Sequence, residues 1–306
     1  MRLIIKYFRQ ILLTAFLIIA YQNGLYPQET KINTREKPGM FVGFSFGPAQ
    51  SQIVNKGTLS VSELLSSKKN TFFRSVDIGY FFSEYIGLSS GVGYNSYGAQ
   101  LTLNTYQNTV NAIDSENETF EMRVSGSDIK EIQKIGFLSI PFCINLRVPF
   151  SQTIGFYLQP GINLAIPLSK TFQSTGTFTY KGYYPAYNVL LENLPEYGFP
   201  TELSIKSDGK LELNPLNLNA VVSAGFDFFI EKEIKIEIGG WYDKSLLSIS
   251  NYPSADKFQL SSDVNHINSM MGGSTSALAQ SIGVKVTFRY FLKHKKVGKP
   301  QEIKVN

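Results

Sequence analysis

The sequence contains very little cysteine and histidine. Its 306 residues include one cysteine, Cys143, and two histidines, His266 and His294. A single cysteine excludes an intrachain disulfide, and two histidines are too few for the usual metal-ligand sets. Cys143 follows Phe142 in an alternating pattern, which favours a small packed side chain over a reactive thiolate. We therefore predict neither a metal site nor a cofactor site.

Long apolar runs are also missing. The longest, Ile11–Ala20, is about half of the ~20 residues that a membrane-spanning helix requires. It follows the basic residues Arg2, Lys6 and Arg9. This order is typical of a secretory signal peptide, which we predict over residues 1–26. Without a spanning helix, the chain can cross a membrane only as a closed β-barrel, because lipid does not satisfy open sheet edges.

Charge is the third scarce feature. Charged residues make up 17% of the chain, against roughly 25% in ordinary soluble domains. The formal net charge of +5 is concentrated at the two ends of the chain, and no basic stripe is interleaved with aromatic residues. Nucleic acid is therefore not a predicted partner. The 13% of aromatic residues fits a barrel with aromatic girdles, although an aromatic-rich soluble β-sandwich has the same composition.

The clearest positive signal is the alternation of apolar and polar side chains. In Gln280–Phe291 the apolar side chains occupy every second position, as expected for a strand with one apolar face. The same pattern recurs in seven more segments. The eight predicted strands are Gly39–Gly47, Phe72–Phe82, Tyr85–Tyr97, Lys134–Val148, Thr153–Ala165, Pro215–Phe229, Glu233–Tyr242 and Gln280–Phe291.

The connections between these strands alternate in length. The short turns are residues 83–84, 149–152 and 230–232, and the long connections are 48–70, 98–133, 166–214 and 243–278. Outer-membrane barrels have short periplasmic turns and long outer loops, and an even strand number places both termini on the periplasmic side. The order of lengths therefore indicates this orientation.

The two faces of the predicted strands differ in charge. The apolar face carries only Arg74 and Lys134, near the outer ends, where a charge costs about 0–1 kcal/mol. The opposite face carries acids and bases that can pair inside a narrow barrel: Asp77, Asp227, Glu237, Arg147, Lys235, Lys285 and Arg289. About eight strands leave room only for side chains, so we expect a filled interior and no open pore.

These patterns predict an all-β fold, an eight-stranded antiparallel transmembrane β-barrel with four long outer loops. The barrel domain is predicted over residues 27–292, with a basic periplasmic tail over residues 293–306. Its apolar wall would contact outer-membrane lipid. The structural alternative is a soluble lipocalin-like binder, in which the apolar faces line an internal ligand cavity. That alternative is disfavoured because the polar face is mainly Gly, Ser and Asn, which would make a poor solvated exterior.

One strand carries a family resemblance. Residues Phe137-Leu138-Ser139-Ile140-Pro141 are similar to the aromatic-Leu-x-Ile-Pro strand of the Bacteroidota outer-membrane β-barrel family called PorT-like. A Gly-containing strand, Tyr157–Leu168, follows one hairpin later, and Phe288-Arg289-Tyr290-Phe291 is similar to the family's closing strand. The resemblance implies an outer-membrane location. It also implies a link to protein secretion, but no functional residue is carried over, and this chain departs by continuing beyond Phe291.

Two segments contain residue types that occur in hydrolytic sites and in calcium sites, but neither segment has the pattern that such a site requires. His266 lies near Ser261, Ser262, Asp263 and Ser269, so an outer-membrane hydrolase acting on lipid or protein is an alternative function. A triad is defined by geometry, and a loop histidine among serines needs no such explanation. The acidic residues Asp114, Glu116 and Glu118 lack the ligand spacing of a calcium loop and are interpreted as a solvated segment.

The insertion Phe172–Phe199 is rich in tyrosine and phenylalanine. Its residues are interpreted first as girdle aromatics on extended strands, and second as a surface that recognises a protein or glycan partner. We predict no catalytic residue. The predicted function is a structural or interaction role in the outer membrane, assisting protein secretion or envelope assembly, with partners bound at the outer loops.

Overall fold

The computed structural model describes residues 39–56, 64–151, 153–231, 233–252, 258–261 and 264–292. The predicted signal peptide and the predicted basic tail lie outside the described residues. The strands are β1 (Gly39–Lys56), β2 (Leu65–Phe81), β3 (Ile86–Ile113), β4 (Thr119–Pro149), β5 (Ile154–Tyr184), β6 (Val189–Leu191), β7 (Leu203–Lys210), β8 (Asn217–Phe229), β9 (Ile234–Ser245) and β10 (Ser276–Phe291). Short 3-10 turns lie at Pro195–Tyr197 and Met270–Gly273. Neither these turns nor any other described helix could cross a bilayer.

Eight of the ten strands close a ring. The order is β1-β2-β3-β4-β5-β8-β9-β10, and β10 pairs again with β1. All of these pairs are antiparallel; for example, Phe44 lies opposite both Phe288 and Val76. The predicted eight-stranded antiparallel barrel is therefore confirmed. Strands β6 and β7 pair with the outer part of β5, above the segment of β5 that pairs with β8.

The outer wall of the ring is apolar. Val92 on β3 is 55% exposed, and Phe226 on β8 and Val284 on β10 are exposed to a similar degree. Such a continuous belt of apolar side chains is typical of a lipid-facing barrel surface. A lipocalin-like binder would need this wall on the inside, so the structure does not support that alternative.

The strands are much longer than the sequence pattern indicated. β3, β4 and β5 continue past the predicted boundaries at Tyr97, Lys134 and Ala165, and they remain paired over most of residues 98–133 and 166–184. The interpretation of residues 98–133 as a loop was wrong. For the insertion after Ala165, the interpretation as an extended strand holds up to Tyr184. We call the paired part beyond the apolar belt the extension; its segment of β3, residues 98–113, is about 50 Å of strand at ~3.3 Å per residue.

The two remaining long connections differ from each other. Much of 48–70 is also strand, since β1 runs to Lys56 and β2 begins at Leu65. In 243–278, by contrast, most described residues are irregular, and they contribute buried side chains to the extension.

The apolar side of each strand changes between the membrane part and the extension. On β3, Leu88 and Val92 face outward, whereas Leu101 and Leu103 face inward and are fully buried. Apolar side chains of the extension form two internal clusters, one around Phe137 and Phe172 and one around Phe178. The reason is the solvent, because lipid favours an apolar exterior and water favours an apolar interior. The extension is thus organised like a water-soluble β-structure.

Candidate functional site

The lower barrel interior contains the predicted ion pairs. Arg147 donates to Asp227 through Nε at 2.9 Å and through a second guanidinium nitrogen at 3.0 Å. Glu237 lies 3.2 Å from Arg289 and 3.4 Å from Lys235. All of these side chains are buried. Charges buried in a barrel interior need partners. The predicted pairing is confirmed for these five residues, whereas Lys285 donates to Gln159 and Ser223 and Asp77 Oδ2 accepts no hydrogen bond from the described residues.

Lys235 closes the periplasmic end of this interior. Its ammonium nitrogen lies 5.0 Å from the ring centre of Phe81, 5.6 Å from that of Phe229 and 5.5 Å from that of Phe291. The three rings enclose the cation, and a cation over aromatic faces is attracted by the ring quadrupoles. The arrangement leaves the lower end of the lumen filled by side chains.

Between Lys235 and the extension, polar side chains from different walls of the barrel meet inside the lumen. Lys285 on β10 donates to Gln159 on β5 at 2.5 Å, and Gln159 donates to Asn145 on β4 at 2.7 Å. Asp77 and Lys285 line a small cavity of about 70 Å³, which is room for a few water molecules and not for a channel. The lumen is therefore bridged, as expected for a filled eight-stranded barrel.

The last long connection plugs the extension. We call the described residues 258–261 and 264–275 the outer plug; Leu260, Ile267 and Met270 within it are fully buried. Its anchor is Glu131 on β4, which accepts hydrogen bonds from Ser269 Oγ at 2.8 Å and from Met270 N at 2.7 Å.

Glu131 is itself fully buried, and its carboxylate also accepts from Gln133 and Ser174. Burial raises the pKa of the Glu131 carboxyl, and the four donors act against that rise. The carboxyl group thus joins β4, β5 and the outer plug at one point inside the extension.

The outer end of the extension carries a concave surface. We call it the tip groove; its volume is about 680 Å³, and it is lined by Ile113, Asp114, Ser115, Glu116, Glu118, Phe120, Tyr184, Tyr187, Val189, Leu191, Glu196, Tyr197 and Phe199. Phe120 forms its floor, stacked on Tyr184 at 5.2 Å between ring centres and edge-on to Phe199 at 5.9 Å. Gly182 admits the Phe199 ring, because a Cβ there would lie 2.4 Å from a ring carbon.

Hydrogen bonds join the two sides of the tip groove. Tyr184 donates to Asp114 Oδ2 at 3.0 Å, and Tyr187 donates to Glu118 Oε1 at 2.5 Å. Asp114 Oδ1 accepts from the backbone N–H groups of Glu116 and Glu118 in the β3–β4 turn. These bonds, the one from the Glu118 N–H first, lower the pKa of Asp114. The turn is therefore held in shape by an ionised carboxylate.

The tip groove unites two segments that the sequence presented separately. The acidic residues Asp114, Glu116 and Glu118 come from the β3–β4 turn, and Tyr184, Tyr187 and Tyr197 come from the aromatic insertion after β5. The composition of the two segments does not predict that they meet. The antiparallel pairing of β4 with β5 brings them together, with Glu121 opposite Tyr183 near the tip.

The described contacts of His266 do not form a hydrolytic arrangement. Its side chain is exposed, and Ser261 Oγ donates to its backbone carbonyl at 3.1 Å. Ser269 donates to Glu131, while Ser262 and Asp263 lie outside the described residues. Among the residues the structure describes, no group of three or more His, Cys, Asp or Glu side chains is placed to hold a metal ion.

Comparison with protein families decides the broad identity. The profile of the family described as "Outer membrane protein beta-barrel domain" matches residues 31–251, more than half of the chain. The chain belongs to this outer-membrane β-barrel family. The match ends before β10, and the pairing of β10 with β1 completes the barrel. Membership places the protein in the outer membrane, in agreement with its apolar outer wall.

Solved outer-membrane barrels show distant similarity to this member of the family. The attachment invasion locus protein Ail of Yersinia pestis is 11% identical, with a TM-score of 0.30, over 83% of this chain and all of that one. Neisserial surface protein A is 10% identical, with a TM-score of 0.33, over 84% of this chain and all of that one. OprG of Pseudomonas aeruginosa is 12% identical, with a TM-score of 0.32, over 85% of this chain and all of that one. Similarity at this level bears on neither ligand nor activity. The comparison with curated proteins gave no match.

Proposed function

We propose that the protein has a structural and interaction role in the outer membrane and binds its partners at the outer tip of the extension. The tip groove is the observation that carries this proposal. It is concave, partly apolar and cross-linked by hydrogen bonds between Tyr184 and Asp114 and between Tyr187 and Glu118. Preorganised surfaces of this kind lose little conformational freedom when a partner binds.

The barrel interior supports an interaction role over conduction. Lys285, Gln159 and Asn145 bridge the lumen from different walls, and Glu131 holds the outer plug inside the extension. Ion flow would require breaking several buried hydrogen bonds and ion pairs. The membrane part therefore serves as an anchor, and specificity lies in the extension.

We also propose that the protein is not a hydrolase. The exposed His266 side chain, the Ser261 contact to its backbone and the engagement of Ser269 by Glu131 support this view. A His266→Ala variant should retain every property of the protein. Loss of a defined lipid- or protein-cleaving activity in that variant would favour the hydrolase alternative.

The narrower role that we propose is assistance to protein secretion or envelope assembly. Its support is the resemblance of Phe137–Pro141 to the PorT-like barrels of Bacteroidota. In the structure these residues lie where β4 passes from the apolar belt into the extension. Membership in that narrower group is part of the proposal.

Site-specific photo-crosslinking in the native host tests the interaction role. The crosslinking residue is the aromatic p-benzoylphenylalanine, so that a ring is kept in the groove. It replaces Tyr197, which lines the tip groove, or Ser151, in a short turn at the opposite end of the barrel. We expect a recurrent secreted or envelope protein crosslinked from position 197 only. Identical products at both positions, or porin-like conductance of the purified protein in planar bilayers, would contradict the proposal.

A further inference from the structure

We infer that the tip groove binds an extended protein segment that carries basic side chains together with at least one apolar side chain. This inference rests on the proposed interaction role and adds the chemistry of the partner. It is carried by two properties of the groove that occur together: an uncompensated negative charge and an apolar floor.

The charge of the groove is of one sign. Four carboxyl side chains line it, those of Asp114, Glu116, Glu118 and Glu196, and no basic side chain does. Within the described part of the chain, Glu116 and Glu196 have no side-chain partner. Clustered like charges repel, so a ligand that brings positive charge is stabilised relative to a neutral or acidic one.

The nearby basic residues do not neutralise the groove. Arg123 pairs with Glu121 at 2.7 Å and lies over the Tyr183 ring at 4.2 Å. Lys181 pairs with Glu192 at 2.5 Å. None of these four charged side chains lines the groove. The charged side chains on the flanks of the tip are therefore paired with each other, whereas the acidic side chains in the tip groove have no basic partner among the lining residues.

The aromatic side chains supply the second half of the recognition. Tyr197 is 71% exposed and Tyr187 is 60% exposed, while Phe120 and Phe199 form a buried floor beneath them. Exposed tyrosines beside a buried apolar floor suit the insertion of an apolar anchor, and ring faces also attract Lys and Arg. At about 680 Å³, the groove is within the ~300–1,000 Å³ typical of ligand sites and has room for a few residues of a peptide.

Peptide titration tests the inference directly. The full chain is placed in nanodiscs of zwitterionic phosphatidylcholine, so that lipid charge does not recruit the probe. The probe is a fluorescent peptide of alternating lysine and phenylalanine, and the comparison peptides alternate glutamate with phenylalanine or lysine with serine. The groove variant is Glu116→Gln combined with Glu196→Gln. The matched control is Asp208→Asn, which removes an exposed acid of β7 outside the groove.

We expect saturable binding of the lysine–phenylalanine peptide that weakens about three- to tenfold in the double variant and weakens further with added salt. The Asp208→Asn control should bind like the unaltered protein, and both comparison peptides should bind more weakly. The Tyr197→Ser variant should also weaken binding, because it removes an anchor and no charge.

Equal binding to the double variant, or no saturable binding of the lysine–phenylalanine peptide, would overturn the inference. Binding of a neutral oligosaccharide such as maltoheptaose in the groove, without binding of the peptide, would overturn it as well. None of these three results would affect the crosslinking outcome at position 197, so failure of this inference is distinguishable from failure of the proposed interaction role.

Discussion

Tyr187 donates a 2.5 Å hydrogen bond to Glu118 across the outer tip, although 69 residues separate the two in the chain. The bond links the β3–β4 turn to the connection that follows β5. Together with the bond from Tyr184 to Asp114, it makes the walls of the tip groove one unit. The shape of the groove therefore depends on contacts between segments that are distant in sequence.

Removing the Tyr187 hydroxyl should loosen the tip without unfolding the barrel. In a Tyr187→Phe variant, we expect amide hydrogen exchange to rise several-fold over residues 185–191, because local opening no longer breaks this bond. Tyr197→Phe is the matched control, since Tyr197 also lines the groove and is more exposed. Equal exchange in the two variants would show that the bond does not order the tip.

The buried ion pair between Arg147 and Asp227 should be far more important for stability than an exposed pair. Arg147→Ala leaves Asp227 charged and buried, which costs about 3–5 kcal/mol of unfolding free energy. Arg123→Ala, at the exposed pair with Glu121, should cost no more than ~1 kcal/mol. Urea unfolding in lipid vesicles, followed by tryptophan fluorescence, measures both. Similar losses in the two variants would contradict the assignment of Arg147 to a filled, water-poor lumen.

Glu131 should make the extension less stable as pH rises. Burial raises the pKa of Glu131 in the folded protein above its ordinary value of 4.5. A group of this kind stabilises the fold fully below the ordinary value, and the contribution is lost as pH rises through the folded pKa. Limited proteolysis of the outer plug should therefore become faster as pH rises through that window.

The Glu131→Gln variant separates this effect from general changes with pH. It cannot ionise, so its proteolysis rate should change little over the same window. Asp114→Asn is a control in which the expected pH dependence has the opposite sign. The pKa of Asp114 is lowered in the folded protein, so its carboxylate stabilises the tip at pH above the ordinary pKa range of aspartate. A plug that is cleaved equally fast in the unaltered protein and in Glu131→Gln at every pH would contradict the proposed anchor.

The membrane part of the fold was predictable because its signal is local. On β3 the alternation through Leu88, Val92 and Tyr94 identifies both the strand and its lipid-facing side. In the extension the same strand alternates Leu101 and Leu103 with polar residues, and the high polar content of this stretch is also typical of a loop. The alternation continues through the extension, but its apolar side chains point into the interior there and not outward as in the membrane part.

The candidate site could not be predicted in the same way. The meeting of Asp114 with Tyr184 depends on the β4–β5 register, which shifts between Ser127 and Lys130 and again between Gly136 and Phe137. A slip by one residue would turn each side chain to the opposite face. Likewise, Glu131 lies in a polar stretch, and its burial follows from the packing of the outer plug, which no local pattern reports.

Tryptophan quenching measures most directly whether the apolar side chains of β3 change from the outer to the inner side between the membrane part and the extension. With the native Trp241 replaced by phenylalanine, a single tryptophan is placed outward at Val92 or outward at Gln107. We predict that brominated lipid quenches the tryptophan at position 92 and that aqueous iodide quenches the one at position 107. Quenching of position 107 by brominated lipid, or of position 92 by iodide, would contradict the account.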